Sequence, residues 1–211
     1  MTKTLILGAS GQIARHVIDD LAGDDAQQMT LFLRNAAKLG AAPANARVVQ
    51  GDVLDAAALG AAVRGQDVVY ANLTGENLDE QADAVIAAMQ AQGVRRLVFV
   101  LSLGIHDEVP GKFGEWNDAT IGEDLKPFRR AAAAIVASGL DYTILRPAWL
   151  TDNDEVEYET TTRNQPFKGT EIARKAVAAY VLTLLENPAK DIGGNIGLSK
   201  PGTDGDKPAF M

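Results

Sequence analysis

Residues 8 to 14 read Gly8-Ala9-Ser10-Gly11-Gln12-Ile13-Ala14 and follow directly on an apolar run, Thr4 to Leu7, with a small residue at every third position. That order predicts a strand, a tight glycine turn and the first turn of a helix. Such a junction aims free backbone N–H groups and the positive end of a helix dipole at one point. The chemistry it suits is holding an anion such as a pyrophosphate. Glycine at 8 permits the turn, glycine at 11 lets a phosphate approach with no Cβ in the way, and Ala14 keeps the helix close to the strand. A tight βα turn with no ligand stays open as the plain alternative.

Other polar residues stand where later apolar runs end. Arg34 closes Leu31-Phe32-Leu33-Arg34, where a forked guanidinium suits the 2′-phosphate of NADP and an acidic residue would instead suit the ribose hydroxyls of NAD. NADP is therefore favoured over NAD, with a solvated strand-end arginine as the alternative. Asp52 and Val53 follow the third run, placed to accept from an adenine amino group and to pack on its ring, while Asp55 reads as a helix N-cap. Asn72-Leu73-Thr74-Gly75 is a small, polar turn suited to pass beneath a cofactor. Ser102 ends the fifth run with a hydroxyl that can meet a substrate carbonyl, or simply bond the backbone. His106 is a candidate proton donor because imidazole titrates near neutral pH; a surface histidine is the alternative. Pro147-Ala148-Trp149 ends the sixth run, where proline fixes the backbone and offers the following polar groups to a carboxamide.

The elements that must position these residues follow from the pattern. Apolar, β-branched runs predict strands at Thr4 to Leu7, Met29 to Arg34, Arg47 to Gln50, Asp67 to Asn72, Leu97 to Ser102, Tyr142 to Arg146 and Asn195 to Leu198. Alanine-rich stretches predict helices at Gln12 to Ala22, Asp55 to Val63, Asp79 to Gln92, Phe128 to Ser138 and Glu171 to Glu186. This alternation is that of an α/β fold: one doubly wound Rossmann-type domain over residues 1–211, its mostly parallel sheet flanked by helices. Val109 to Ile121 reads as an irregular aromatic-bearing loop, so substrate-side loops are expected near 105–125 and 150–168. The acidic stretch Asp152 to Glu159 reads as a solvated face rather than a metal cage.

Taken together, GASGQIA, FLRN, GDV, NLTG, LSLG and SGLDYTILRPAWL resemble the atypical short-chain dehydrogenase/reductase proteins, in particular the compact NAD(P)H-binding group that includes NmrA-like proteins and biliverdin/flavin reductase. The resemblance implies that Gly8, Ala9, Ser10, Gly11, Gln12 and Ile13 hold the pyrophosphate and Arg34 the 2′-phosphate. It assigns Asp52 and Val53 to the adenine, and Leu73, Thr74 and Gly75 to the adenosine side. Ser102 and Pro147 to Trp149 would then approach the nicotinamide. Classical members of the superfamily carry Tyr-x-x-x-Lys on the helix before this last motif. No such pattern occurs here; counting back from Ser138 gives Asp124 and Phe128 at the equivalent positions. Two functions survive: an NADPH-dependent reductase of a conjugated acceptor such as a quinone, a flavin or a related carbonyl compound, and a non-catalytic NADP(H)-sensing regulator. A nucleotide-sugar epimerase-like enzyme ranks last, because it needs the tyrosine.

Composition narrows the classes further. Twenty lysines and arginines against 28 aspartates and glutamates leave a formal charge of −8, and no basic run exceeds Arg95-Arg96 and Arg129-Arg130. Nucleic-acid binding, which needs a basic face, is not expected. There are 0 cysteines, which excludes disulfides and thiolate chemistry. No run approaches the roughly 18 apolar residues of a membrane span, and a cytoplasmic location with a small-molecule substrate is the default expectation. The tail ending in Phe210-Met211 leaves a homo-oligomer open.

Overall fold

The computed structural model describes all 211 residues. Its strands form where β-branched and aliphatic residues cluster, and several of its helices where alanine is frequent. In chain order these are β1 (Thr2–Leu7), α1 (Gln12–Leu21), β2 (Gln27–Leu33), a 3₁₀ turn (Ala36–Lys38), β3 (Ala46–Gln50), α2 (Ala56–Val63), β4 (Val68–Ala71) and α3 (Leu78–Gln92). There follow β5 (Arg96–Val100), α4 (Gly111–Ile121), α5 (Leu125–Ala137), β6 (Asp141–Pro147), β7 (Trp149–Thr151), β8 (Glu159–Thr161), β9 (Glu171–Ala173), α6 (Arg174–Glu186) and β10 (Gly194–Ser199). Eight strands make one sheet in the order β3-β2-β1-β4-β5-β6-β10-β8, all parallel except β8, and β7 pairs with β9 in a separate ribbon. This is a single Rossmann-type α/β domain. No helix is long and apolar enough to cross a membrane.

Because successive strand residues face opposite sides of a sheet, each central strand feeds two cores. Ile6, Leu31, Val98 and Leu145 join α1 and α6 on one side; Leu5, Leu7, Phe32 and Phe99 join α2, α3 and α5 on the other. Each such fully buried side chain contributes roughly 1.5–3 kcal/mol of transfer free energy. The winding reverses between β1 and β4, which lie side by side although the chain visits β2 and β3 between them. That reversal opens a crevice at their carboxyl ends, the usual ligand position in such sheets.

Residues 150–168, expected as a loop, instead contribute β8 to the sheet edge and most of β7, because Glu159–Thr161 pairs with β10 and Trp149–Thr151 with β9. Two helical stretches also depart from the sequence expectation. Residues 111–121, expected to be irregular, form α4. Glycine is a poor helix former, but here packing overrides propensity: Phe113 is buried, Trp116 stacks on it, and the buried Asn117 accepts a bond from the Trp149 indole N–H at 2.9 Å. A Cβ on Gly114 would lie 2.1 Å from the Val109 carbonyl oxygen, so glycine is what lets this helix start so close to the preceding chain. The second departure is Glu171–Ala173, expected to open the last helix. It is instead β9, with Ile172 fully buried, and α6 begins at Arg174.

Candidate functional site

The glycine turn sits in the crevice between β1 and β4. Gly8 has φ +73°, and a Cβ there would fall 2.2 Å from the Asn72 carbonyl oxygen. At Gly11 a Cβ would fall 2.2 Å from Asn72 Nδ2, so the bare Cα of Gly11 also makes room for that side chain. Gly11 caps α1 without any side-chain bond, and the first N–H to bond back is that of Arg15, to the Gly11 carbonyl at 3.0 Å. The N–H groups of Gln12, Ile13 and Ala14 therefore have no acceptor within the chain, which is the donor set an anion requires. Ala9, Ile13 and Ala14 are buried beneath, and Ser10 lines the opening.

Around this turn lies a cleft of about 230 Å³. Its lining unites expected residues from four strand ends: Gly8, Ser10 and Gly11 from β1, Arg34 from β2, Asp52 and Val53 from β3, and Asn72, Leu73 and Thr74 from β4. Arg34 is exposed and forms no ion pair within the chain. Lys38 lines the same cleft, a residue the sequence reading missed. The 3₁₀ turn carries it there, capped by Asn35 Oδ1 accepting from the Ala37 N–H at 3.1 Å. Arg15 fastens that turn to the glycine turn, donating to the carbonyls of Lys38 and of Ser10. Asp52 shapes its own corner, with Oδ1 accepting from the Leu54 N–H at 3.0 Å, and Asp55 caps α2 as expected.

Beyond Thr74 the chain borders a second cavity, of about 580 Å³ and open to solvent. Thr74 belongs to both linings, so the two spaces meet there. Gly75, at φ +127°, turns the backbone away from β4, and the buried Gln81 holds the turn through bonds to the Thr74 carbonyl at 3.1 Å and Asn77 Oδ1 at 2.9 Å. The rest of the lining comprises Ser102, Ile121, Leu125, Pro127 and Phe128 with Glu76, Glu123 and Asp124. Ser102 makes no side-chain bond within the chain and is free to bond a ligand. Asp124 and Phe128, expected at the positions of the tyrosine and lysine of the classical enzymes, both line this cavity.

His106 lies elsewhere. Behind the Ser102 turn, Arg146 is 0% and Glu108 4% exposed, and the two form an ion pair. The other bonds of this carboxylate go to the turn itself: Oε1 accepts from the Gly104 N–H at 3.0 Å and Oε2 from the His106 N–H at 2.9 Å. Burial alone would raise the Glu108 carboxyl, but Arg146 and these N–H groups hold it below its ordinary value. Arg146 can only donate, so its 2.6 Å contact fixes Asn195 Oδ1 as acceptor and Nδ2 as donor; Nδ2 then donates to His106 Nε2 at 2.7 Å. Burial and the charge of Arg163 lower the His106 pKa, which agrees with an unprotonated Nε2. Nothing in the sequence advertised Glu108, because its partner lies far along the chain.

Pro147, Ala148 and Trp149 enter neither cavity. The Pro147 carbonyl accepts from the Leu103 N–H at 3.2 Å, the Ala148 N–H donates to Leu198 at 2.8 Å and the Trp149 N–H to Thr170 at 3.2 Å. These three backbone groups, expected to be open to a ligand, are engaged within the fold. Most of the acidic stretch is paired: Asp152 with Arg174 at 2.8 Å, Asp154 with Lys175, Glu155 with Lys200 at 2.7 Å and Glu159 with Lys168 at 3.9 Å.

The unpaired N–H groups and the glycine cradle fit a dinucleotide pyrophosphate, and a family model described as NAD(P)H-binding matches residues 8–188. The chain belongs to the NAD(P)H-binding family. Among solved structures it is similar to a Rossmann-fold NAD(P)-binding family protein from Shigella flexneri, at 58% identity over 100% of both chains with a TM-score of 0.88. A wide-type short-chain dehydrogenase/reductase from Veillonella parvula, solved with NADP, shares 25% identity over 99% of each chain with a TM-score of 0.89. The (4-alkanoyl-5-oxo-2,5-dihydrofuran-3-yl)methyl phosphate reductase of Streptomyces griseus is 31% identical over 149 residues, 71% of this chain and 48% of that one. The chain thus spans about half the length of this curated relative. In this NAD(P)H-binding, reductase-like family, the glycine turn and its cleft are the parts that fit the cofactor.

Proposed function

We propose that this chain is an NADPH-dependent reductase of a small conjugated acceptor, a quinone, a flavin or a related carbonyl compound. The observation that carries the reading is the junction at Thr74, where the phosphate-binding cleft opens into a cavity with an apolar wall and the unengaged Ser102 hydroxyl. The bound cofactor would supply hydride. The chain's own groups would do the rest: the N–H groups of Gln12 and Ile13 hold the pyrophosphate, and Arg34 with Lys38 engages the 2′-phosphate that distinguishes NADP from NAD. Asp52 and Val53 border the adenine. Ser102 donates a hydrogen bond to the acceptor's oxygen, and the proton that accompanies reduction comes from solvent or through this hydroxyl. His106, expected as an alternative donor, would act through the turn that carries Ser102.

The reading draws support from the NADP complex of the Veillonella protein and from the reductase activity named for the Streptomyces relative. Steady-state NADPH oxidation against a panel of quinones, flavins and carbonyl compounds tests it, with turnover expected on at least one quinone. Tight NADPH binding with no turnover on any acceptor would sink the reductase and leave a cofactor-sensing regulator. Asp124 and Phe128 at the tyrosine and lysine positions are what keep that second reading in play.

A further inference from the structure

We infer that the cavity beyond Thr74 selects its acceptor by charge, admitting neutral or cationic conjugated compounds and turning away those that bear a phosphate, sulfonate or carboxylate. The inference rests on the reductase reading and concerns the substrate of the same site. The wall formed by Ile121, Leu125, Pro127 and Phe128 suits a planar ring system, and the volume of about 580 Å³ accommodates a bicyclic one. Three carboxylates line the cavity and no lysine or arginine does. Glu123 is neutralised by Lys126 at 2.6 Å, while Glu76 and Asp124 are exposed and have no ion-pair partner in the chain.

The basic residues nearest in sequence are committed elsewhere. On α5, Arg129 pairs with Asp107 at 3.1 Å and donates to the Gly104 carbonyl at 3.0 Å, and Arg130 pairs with Asp79. An acceptor carrying a negative group would therefore meet two uncompensated carboxylates, with Lys126 held on Glu123 as the one cation at the rim, a balance of like charge that costs affinity. This separates the chain from the Streptomyces relative, whose named substrate is a phosphate ester. Neither Glu76 nor Asp124 makes a side-chain bond that the fold depends on; Asp124 stands at the start of α5 without capping it. Their charge can be removed without loosening the cavity.

The test compares menadione with a sulfonated naphthoquinone. Binding of each is measured by calorimetry to the protein saturated with NADP⁺, and turnover of each with NADPH. Menadione is expected to bind roughly fivefold more tightly than the sulfonate, the size of a few exposed charge contacts. The preference should shrink as salt is raised, because exposed charges are screened. In the Glu76→Gln/Asp124→Asn variant it should fall below about twofold. Equal binding of the two quinones to the unaltered protein, an unchanged preference in the variant, or binding of neither would overturn charge selection. Preferential binding of menadione with no turnover of any acceptor would instead leave charge selection standing and sink the reductase.

Discussion

The two spaces that meet at Thr74 are built oppositely. The cleft around the glycine turn is made from backbone: its donors are main-chain N–H groups, its shape depends on Gly8 and Gly11 lying against Asn72, and the unpaired charged side chains that line it are the cations Arg34 and Lys38 and the carboxylate of Asp52. The cavity beyond is made from side chains, apolar on one wall and acidic at the rim, and its floor turn is held from behind by a buried ion pair. Under the proposed function, a doubly negative ligand segment would be drawn to one end and a neutral ring to the other. The contrast teaches that the cleft is fixed by the course of the chain, whereas the cavity can change specificity by changing a few side chains.

The strongest test of that contrast removes the Glu108 charge. Glu108→Gln leaves Arg146 buried without its counter-charge, which is expected to cost about 3–5 kcal/mol in urea unfolding. Turnover should fall by more than NADPH affinity, since Glu108 holds the Gly104 to His106 turn and touches nothing in the cleft. Because the folded-state pKa of Glu108 is held down, its contribution is present above the unfolded value of about 4.3 and is lost as pH falls through the folded value. Equal losses of turnover and cofactor affinity would show that the two spaces are not independent.

Arg34→Ala should act on the other side alone. Loss of a charge-assisted bond to a phosphate predicts a roughly ten- to hundredfold fall in NADPH affinity with NADH affinity nearly unchanged. Calorimetry with both cofactors checks this, and equal losses would move the phosphate anchor to Lys38. Smaller still is the effect of Ser102→Ala: roughly two- to tenfold in kcat, the net value of one hydrogen bond, with NADPH affinity unaltered. Unchanged turnover would show that the Ser102 hydroxyl does not engage the acceptor.

The same contrast explains what the sequence disclosed. The sheet, its winding and the cleft are written in local signals: a β-branched run, a glycine turn, a polar residue at each strand end. Arg34, Asp52 and Thr74 could be chosen because each sits where a run stops. Lys38 escaped because a single 3₁₀ turn, set by Asn35, returns it to the cleft. The helix at 111–121 escaped because Pro110, Gly111 and Gly114 read as a loop, while the contacts that fold it, from Phe113 to the core and from Asn117 to Trp149, join distant segments. Glu108 carried no signal in the sequence, since a carboxylate is seldom buried unless paired and its partner Arg146 lies far along the chain on β6. The side-chain half of the site depends on such long-range contacts and was therefore the less legible half.

The smallest expected effect concerns His106 and decides whether it belongs to the scaffold or to the cavity. With Nε2 accepting from Asn195 and the pKa lowered by burial and Arg163, the folded protein carries a neutral imidazole near neutral pH. A histidine acting as an imidazolium donor would make kcat fall as pH rises through its pKa. Here kcat is expected to show no such fall above about pH 6.5, the ordinary imidazole value. Stability should show the signature instead: the unfolded chain binds the proton more readily, so this contribution is full above the unfolded pKa and is lost as pH drops through the lower folded one. His106→Gln, which cannot titrate, should flatten that acid-side slope in thermal unfolding while leaving the pH profile of kcat in place. A kcat profile that loses a basic limb in this variant would put the imidazole in the proton path and join the scaffold to the chemistry.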